Sequence, residues 1–241
     1  MNVSALKVGG FMELNEKIRS ADSDVHITDC CGQRFMGTAL AKGKKLTITG
    51  TPGNAAGAYL NGGVIEVIGN VQDAVGDTMN LGKIIVHGNA GDALGYAMRG
   101  GNIFIRGNAG YRAGVHMKAY KDLKPVIVIG GSAGSFLGEY LAGGLLVVLG
   151  IGAEETLPVG NFIGTGMHGG EIFIRTKKKI ADLPAQVAVN AATQDDLARI
   201  KPHIMEFAEL FEVELESLLE DNYYILTPNT QNPYHLMYVA N

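Results

Sequence analysis

KIIVHGNAGDALGYAMRGGNIFIRGNAG, residues 83–110, contains two copies of one short strand motif joined by a glycine-rich connection. Within each copy, apolar residues lie two positions apart, which is the side-chain period of a β-strand. Val86 in the first copy and Ile105 in the second are 19 residues apart. The stretch therefore predicts a 19-residue repeat unit that consists of one strand and one turning connection.

The same motif recurs along most of the chain. Its seven copies end at a glycine or at the equivalent Thr176, and they read KLTITG, VIEVIG, KIIVHG, NIFIRG, PVIVIG, LLVVLG and EIFIRT. The residues two places before each end form one apolar column: Ile48, Val67, Val86, Ile105, Val128, Val148 and Ile174. The residues four places before each end form a second: Leu46, Ile65, Ile84, Ile103, Val126, Leu146 and Ile172. Because both columns lie on one face of the strands, we expect them to fill a common interior.

The column between these two is predicted to face outward, and it changes from polar to apolar along the chain. Its members are Thr47, Glu66, Ile85, Phe104, Ile127, Val147 and Phe173. The apolar residues Phe104, Ile127, Val147 and Phe173 are therefore candidate interface residues. Two explanations stay open for this stripe: cover by C-terminal helices of the same chain, or a docking face for another subunit.

Glycine explains how one strand leads to the next. Each unit carries a further glycine between its strands, at Gly37, Gly57, Gly76, Gly95, Gly114, Gly138 and Gly164. Glycine suits sharp corners and close stacking of coils, and no unit of this size can bury its apolar face alone. The sequence therefore predicts an all-β fold, a single-stranded right-handed parallel β-helix of about seven coils. Asparagines in the GNAG segments at 88–91 and 107–110 are expected to stack from coil to coil.

Both ends of the chain depart from the repeat. We expect an N-terminal cap over residues 1–30, with a short amphipathic helix at 11–20 and a strand at 25–28. The β-helix then covers 31–180. Residues 181–241 are predicted to form a helical extension and an extended tail. In this extension Thr193 begins a helix and Pro202 begins a second segment, which indicates a helical hairpin, while the tail after Asn222 reads as a strap lying on another surface.

Composition excludes several classes of function. The net charge of −4 and pI near 5.9 leave no basic surface for nucleic acid. The longest apolar runs are far shorter than a membrane span, so no membrane partner is expected. The two cysteines, Cys30 and Cys31, are adjacent, which predicts reduced thiols and a cytoplasmic location. We expect no catalytic, cofactor-binding or metal site, because the six histidines lack ligand spacing.

Three glycine-rich segments carry a family resemblance. GNAGDALGYAMRGGNIFIRGNAG at 88–110, GSFLGEYLAGGLLVVLG at 134–150 and GNFIGTGMHGGEIFIR at 160–175 resemble the C-terminal β-helix domain of the glutamate synthase large subunit. CGQRFMG at 31–37 is similar to the start of that domain, so the resemblance covers most of residues 25–176. It implies a structural domain that supports ammonia channelling and holds no catalytic residue.

The resemblance also implies partners. In such an enzyme a glutaminase and a synthase with FMN and iron–sulfur clusters together make glutamate from glutamine and 2-oxoglutarate. A glutaminase of this type needs an N-terminal cysteine, whereas this chain begins Met1-Asn2, and two cysteines are too few for a cluster. We therefore expect a non-catalytic scaffold subunit whose flavin and clusters lie on the partner subunits. Self-association into a homo-oligomer stays open.

Two alternative functions remain, besides a small-molecule or partner-sensing module in which the Tyr-rich tail would be a strap that moves. The glycine repeats also resemble the glycine-repeat subunit of formylmethanofuran dehydrogenase, which implies a scaffold in a different oxidoreductase. The other alternative is a stand-alone β-helix hydrolase, which would need acidic residues clustered on the outer face. Among the acidic residues, only Glu66 and Glu171 occupy outward strand positions, and they lie near opposite ends of the repeat.

Overall fold

Nine parallel strands stack one above the next in the computed structural model, which describes residues 1–219 and 222–229. Their bounds are β1 Asn2–Ser4, β2 Val25–Cys31, β3 Lys45–Thr51, β4 Asn61–Ile68, β5 Leu81–Val86, β6 Asn102–Ile105, β7 Val126–Ile129, β8 Ala142–Val148 and β9 Gly169–Arg175. Each strand pairs with the strands before and after it in this run. Strands β3–β9 contain the seven repeat segments, which confirms the predicted parallel β-helix of about seven turns.

The glycine column forms the corner opposite the strands. All seven predicted glycines have φ between +66° and +72°, a left-handed conformation that glycine adopts without strain. At Gly76 a Cβ atom would lie 2.5 Å from Cδ1 of Ile103, which is buried in the interior. The residues two places before and after Gly76, Ala74 and Thr78, also have positive φ, so the chain turns in alternating steps. The glycines therefore allow the backbone to turn at this corner and to lie close to the side chains of the interior.

Asparagine side chains join consecutive coils at the second corner, as predicted. The Asn89 backbone N–H donates to Oδ1 of Asn70 at 2.8 Å, and the Asn108 N–H donates to Oδ1 of Asn89 at 2.8 Å. The Ser132 N–H continues the ladder to Oδ1 of Asn108. A second ladder runs beside it: the Asp92 N–H donates to Oδ1 of Asp73, and the Tyr111 N–H donates to Oδ1 of Asp92. Each side chain thus satisfies a backbone donor one coil above it.

The predicted register of one strand, β7, was wrong by one residue. Ile103 pairs with Ile127, and Ile105 with Ile129, so Ile127 and Ile129 point into the β-helix while Val126 and Val128 point out. The segment PVIVIG is apolar on both faces, so alternation alone does not fix its register. The spacing to the next corner glycine does fix it. In the four coils before β7 the last inward residue precedes that glycine by nine positions, as Val86 precedes Gly95, and Ile129 rather than Val128 precedes Gly138 by nine.

The C-terminal extension adds two strands and two helices. Helix α2, Gln194–Phe211, begins at Thr193, whose hydroxyl accepts from the Asp196 N–H in a capping box. The helix runs through Pro202, so the predicted helical hairpin was wrong; burial of its apolar side against the sheet offsets the proline, which costs about 3 kcal/mol in a helix. The other elements are α3 Leu215–Leu219, β10 Val187–Ala191 and β11 Tyr223–Pro228.

Both open ends of the stack are covered. Helix α1, Phe11–Ser20, buries Leu14 and Ile18 against the first coil, as the sequence predicted. At the other end β11 pairs antiparallel with β9 on one side and with β10 on the other. The predicted strap therefore forms a strand of the same sheet over 223–228, and its remainder, 230–241, lies outside the described residues.

Candidate interaction surfaces

The outer face of the sheet carries the candidate interface residues. Phe104, Val147 and Phe173 point outward and are fully buried, and Val128 completes the row in place of the inward Ile127. Helix α2 covers them with an apolar face: Ile200, Ile204, Phe207, Ala208 and Phe211. Cover by the same chain, the first of the two explanations, therefore describes this stripe, and none of the four predicted residues exposes side-chain surface here.

Charged residues hold α2 in place along the sheet. Near the start of the helix, Arg199 donates to Glu171 on β9 at 2.8 Å. Further along, Glu206 forms an ion pair with Lys83 on β5. At 1.5 Å per residue the 18-residue helix is about 27 Å long, close to the five strand spacings, about 24 Å, between β4 and β9. The helix thus crosses the strands and spans the apolar part of the face.

The two outward glutamates have separate structural partners. Glu66 pairs with Lys45 at 2.9 Å, and its second carboxylate oxygen lies 3.1 Å from Nε2 of His87. The Lys45 hydrogen bond, helped by His87, lowers the pKa of Glu66 below its ordinary value. Glu171 lies five strands away, about 24 Å at ~4.8 Å per spacing. Paired glycosidase carboxylates lie within about 10 Å of each other, so these two residues do not form such a pair.

The cysteines differ in accessibility. Cys30 is buried, and desolvation raises the pKa of its thiol to about 11, which disfavours the reactive thiolate. Cys31 is exposed, and both thiols are free. Across residues 1–219 and 222–229, no group of three or more His, Cys, Asp or Glu side chains is placed to hold a metal ion. No helix in this same part of the chain is long and apolar enough to cross a membrane.

An aromatic patch on the glycine corner was not predicted. It comprises Tyr96, His116, Phe136, Tyr140 and Phe162. His116 stacks on Tyr140 and Phe136 stacks on Phe162, in both cases with ring centroids 5.0 Å apart. Although they stack, Tyr140 remains 38% exposed and Phe162 54% exposed. The patch therefore consists of two exposed groups of rings, Tyr96–His116–Tyr140 and Phe136–Phe162, and each group crosses successive coils.

The chemistry of this patch follows from its place in the repeat. Phe136 and Phe162 each lie two positions before a corner glycine, and His116 and Tyr140 each lie two positions after one. Arg112 packs over Phe136 at 5.0 Å and pairs with Glu139 at 2.9 Å, so its charge is neutralised locally. These aromatic positions therefore share a fixed distance from the corner glycine in the sequence. Exposed aromatic side chains of this kind are enriched where proteins contact each other.

A groove separates α2 from the beginnings of β7, β8 and β9. Its volume is about 540 Å³, and its charged or titratable lining residues are Lys124, Glu171, Arg199 and His203. Arg199 and His203 are four residues apart on α2, so they project from the same side of the helix. Lys124 ends the loop inserted between β6 and β7. Sequence spacing could not identify this groove, because its residues come from distant segments.

Comparison with known proteins places most of the chain in one family. The GXGXG motif family model matches residues 4–230. A similar protein is an uncharacterized protein of Methanocaldococcus jannaschii, which is 43% identical over 242 aligned residues, covering 95% of this chain and 92% of that protein. The match therefore extends beyond the glycine repeats to both end segments.

Proposed function

The chain belongs to the GXGXG motif family, and we propose that it is a non-catalytic scaffold subunit of a glutamate-synthase-type complex. Members of this domain family occur in glutamate synthase. The observation that carries the proposal is the extent of the match, residues 4–230, which covers the β-helix and the helix packed on it. Most of the chain therefore corresponds to the domain.

The β-helix has the mechanical properties that a scaffold requires. Nine stacked strands give a rod about 38 Å long at ~4.8 Å per spacing. Its interior is filled by apolar side chains, and a second apolar core joins α2 to its outer face. Such close packing makes protein interiors poorly compressible, so the rod would hold attached subunits at a fixed separation.

The aromatic patch is the surface through which this scaffold would contact a partner subunit. It offers uncharged rings on a rigid backbone, and its one guanidinium is already paired with Glu139. A complementary partner surface would therefore be apolar or aromatic and carry no net charge. The glutaminase and the FMN and iron–sulfur synthase polypeptides are the proposed partners, with the flavin and the clusters bound to them. The scaffold would support the passage of ammonia between them.

Co-purification tests the proposal. A tagged full-length chain, captured from its native cell, is expected to bring down polypeptides that carry flavin and iron–sulfur clusters, identified by absorbance and mass spectrometry. Phe162→Ala should reduce this capture, because it removes an exposed ring of the patch. Tyr59→Ala is the matched control, since Tyr59 has the same 54% exposure and lies outside the patch. A chain that always purifies alone would contradict the scaffold role.

A further inference from the structure

We propose that the groove between α2 and the beginnings of β7–β9 binds a small organic oxyanion, a carboxylate or a phosphate ester, through Lys124, Arg199 and His203. The groove volume of about 540 Å³ lies in the range of small-molecule pockets. Its charged lining comes from three separate parts of the chain. The site is independent of the scaffold role and of any partner subunit.

Hydrogen-bond donors in the groove are available to a ligand. Within residues 1–219 and 222–229, the side chains of Lys124 and His203 form no hydrogen bond or ion pair. Arg199 uses one nitrogen, Nη2, for both of its carboxylate partners, Glu171 and Asp196, each at 2.8 Å. In this same described part its Nε and Nη1 have no partner. The two carboxylates thus orient the guanidinium and leave donors free.

The charge of the lining favours an anion. Glu171 in the lining and Asp196 beside it both pair with Arg199, so Lys124 is the cation of the groove that no carboxylate of the described residues compensates. Burial lowers the pKa of His203 below its ordinary value, an effect that Glu206 partly opposes, so the imidazole is neutral at neutral pH and donates an N–H. A carboxylate or phosphate would meet one unpaired ammonium and at least two further donors. Charge-assisted hydrogen bonds of this type are the stronger class in proteins.

The architecture of the groove is consistent with a dedicated site. The loop that ends at Lys124 interrupts the 19-residue repeat, and insertions in repeat proteins frequently line binding faces. Gly144 and Gly170 supply two further parts of the wall without side chains. The anchoring of Arg199 by Glu171 ties the α2 side of the groove to β9. Arg199 and His203 are therefore held on a packed helix, whereas Lys124 lies on the exposed loop before β7.

Calorimetric titration of the full-length chain with succinate and with inorganic phosphate, at constant ionic strength, tests the site. We expect saturable binding of at least one anion, and its identity assigns the preferred headgroup. Lys124→Ala and His203→Ala should each weaken that binding at least tenfold. Lys42→Ala removes an exposed cation at the far end of the β-helix and should leave the affinity unchanged.

One further measurement distinguishes a loss of binding that results from misfolding from a loss that results from the missing donor. Circular dichroism of each variant should match the unaltered chain, and Lys124→Met provides a second loss of charge that keeps the side-chain stem. The proposal is overturned if neither anion binds saturably, or if Lys42→Ala weakens binding as much as Lys124→Ala. Either result would leave the scaffold proposal untouched, because the capture experiment uses a different surface.

Discussion

The two ends of the outer sheet face differ in chemistry, and the difference identifies where the non-repetitive part of the chain packs. On β3 and β4 the outward positions are Thr47 and Glu66, which remain partly exposed. On β6 and β9 the equivalent positions are Phe104 and Phe173, which α2 covers completely. The inner columns show no such change. In a repeat protein, a change from polar to apolar residues at the outward positions therefore indicates where another segment packs. The inward positions stay apolar throughout and indicate only the fold.

The largest effect should come from breaking the inner face. Val86→Asp places an unpaired carboxylate among fully buried side chains and is expected to destabilise the chain by at least about 4 kcal/mol. Urea denaturation followed by circular dichroism measures this loss. A variant as stable as the unaltered chain would contradict the inward position of Val86.

Substitutions in the apolar core between α2 and the sheet should lower stability nearly as much, but should unfold mainly α2. Phe207→Ala removes a fully buried ring between α2 and the sheet and should cost about 3–4 kcal/mol. Met205→Ala, on the exposed side of the same helix, should change stability by less than about 0.5 kcal/mol. Hydrogen exchange should show loss of protection in α2 before loss in the strands; the reverse order would mean that α2 does not dock as described.

Replacing a corner glycine by alanine should lower stability by an intermediate amount. Gly76→Ala combines a left-handed φ with a close approach to Ile103 and is expected to cost about 2–3 kcal/mol. Gly43→Ala is the control, because its φ is also positive at +83° but nothing lies within 4 Å of the added Cβ. Its cost should be about 1 kcal/mol. Equal thermal stability of the two variants would remove the steric part of the explanation.

The asparagine ladder should contribute less per residue. Asn89→Ala removes the acceptor for the Asn108 N–H and should cost about 1 kcal/mol. Asn161→Ala, an exposed asparagine on a different coil, should be neutral within about 0.5 kcal/mol. The midpoints of thermal unfolding compare them, and a larger loss in the Asn161 variant would argue against the ladder.

The smallest effect belongs to the polar end of the outer face. Glu66→Gln should cost less than about 1 kcal/mol at neutral pH, because the carboxylate is partly solvated. Lys45 lowers the pKa of Glu66 in the folded chain. The ion pair therefore stabilises the fold at pH values above the pKa of Glu66 in the unfolded chain. This stabilisation disappears as the pH falls through the pKa of Glu66 in the folded chain. Unfolding at acidic pH should therefore show no difference between the two chains, and a difference that grows on acidification would be inconsistent with this ion pair.

Periodicity predicted most of the fold because the repeat imposes the same environment on each coil. The glycine column, the strands and the helix start at Thr193 all have local signals, and all were confirmed. The register of β7 failed where both faces are apolar, so that alternation carries no information. The continuous α2 failed because tertiary burial outweighs the local preference of Pro202 to end a helix.

The candidate surfaces were harder to predict for a geometric reason. Four residues of the aromatic patch lie two positions before or after a corner glycine, and an alignment of the repeats on their strands does not show this pattern. The groove has no sequence period at all, since Lys124 and His203 are brought together by α2 crossing the sheet. Position in the repeat can identify the patch, whereas only the folded chain identifies the groove.

The scaffold role is tested most directly by reconstituting glutamate synthesis from separate polypeptides. Glutamine-dependent and ammonia-dependent rates would be measured with purified glutaminase and synthase polypeptides, with and without this chain. We expect no glutamate from this chain alone, and we expect its addition to raise the glutamine-dependent rate far more than the ammonia-dependent rate. Equal rates with and without the chain, or synthesis by the chain alone, would contradict a non-catalytic scaffold.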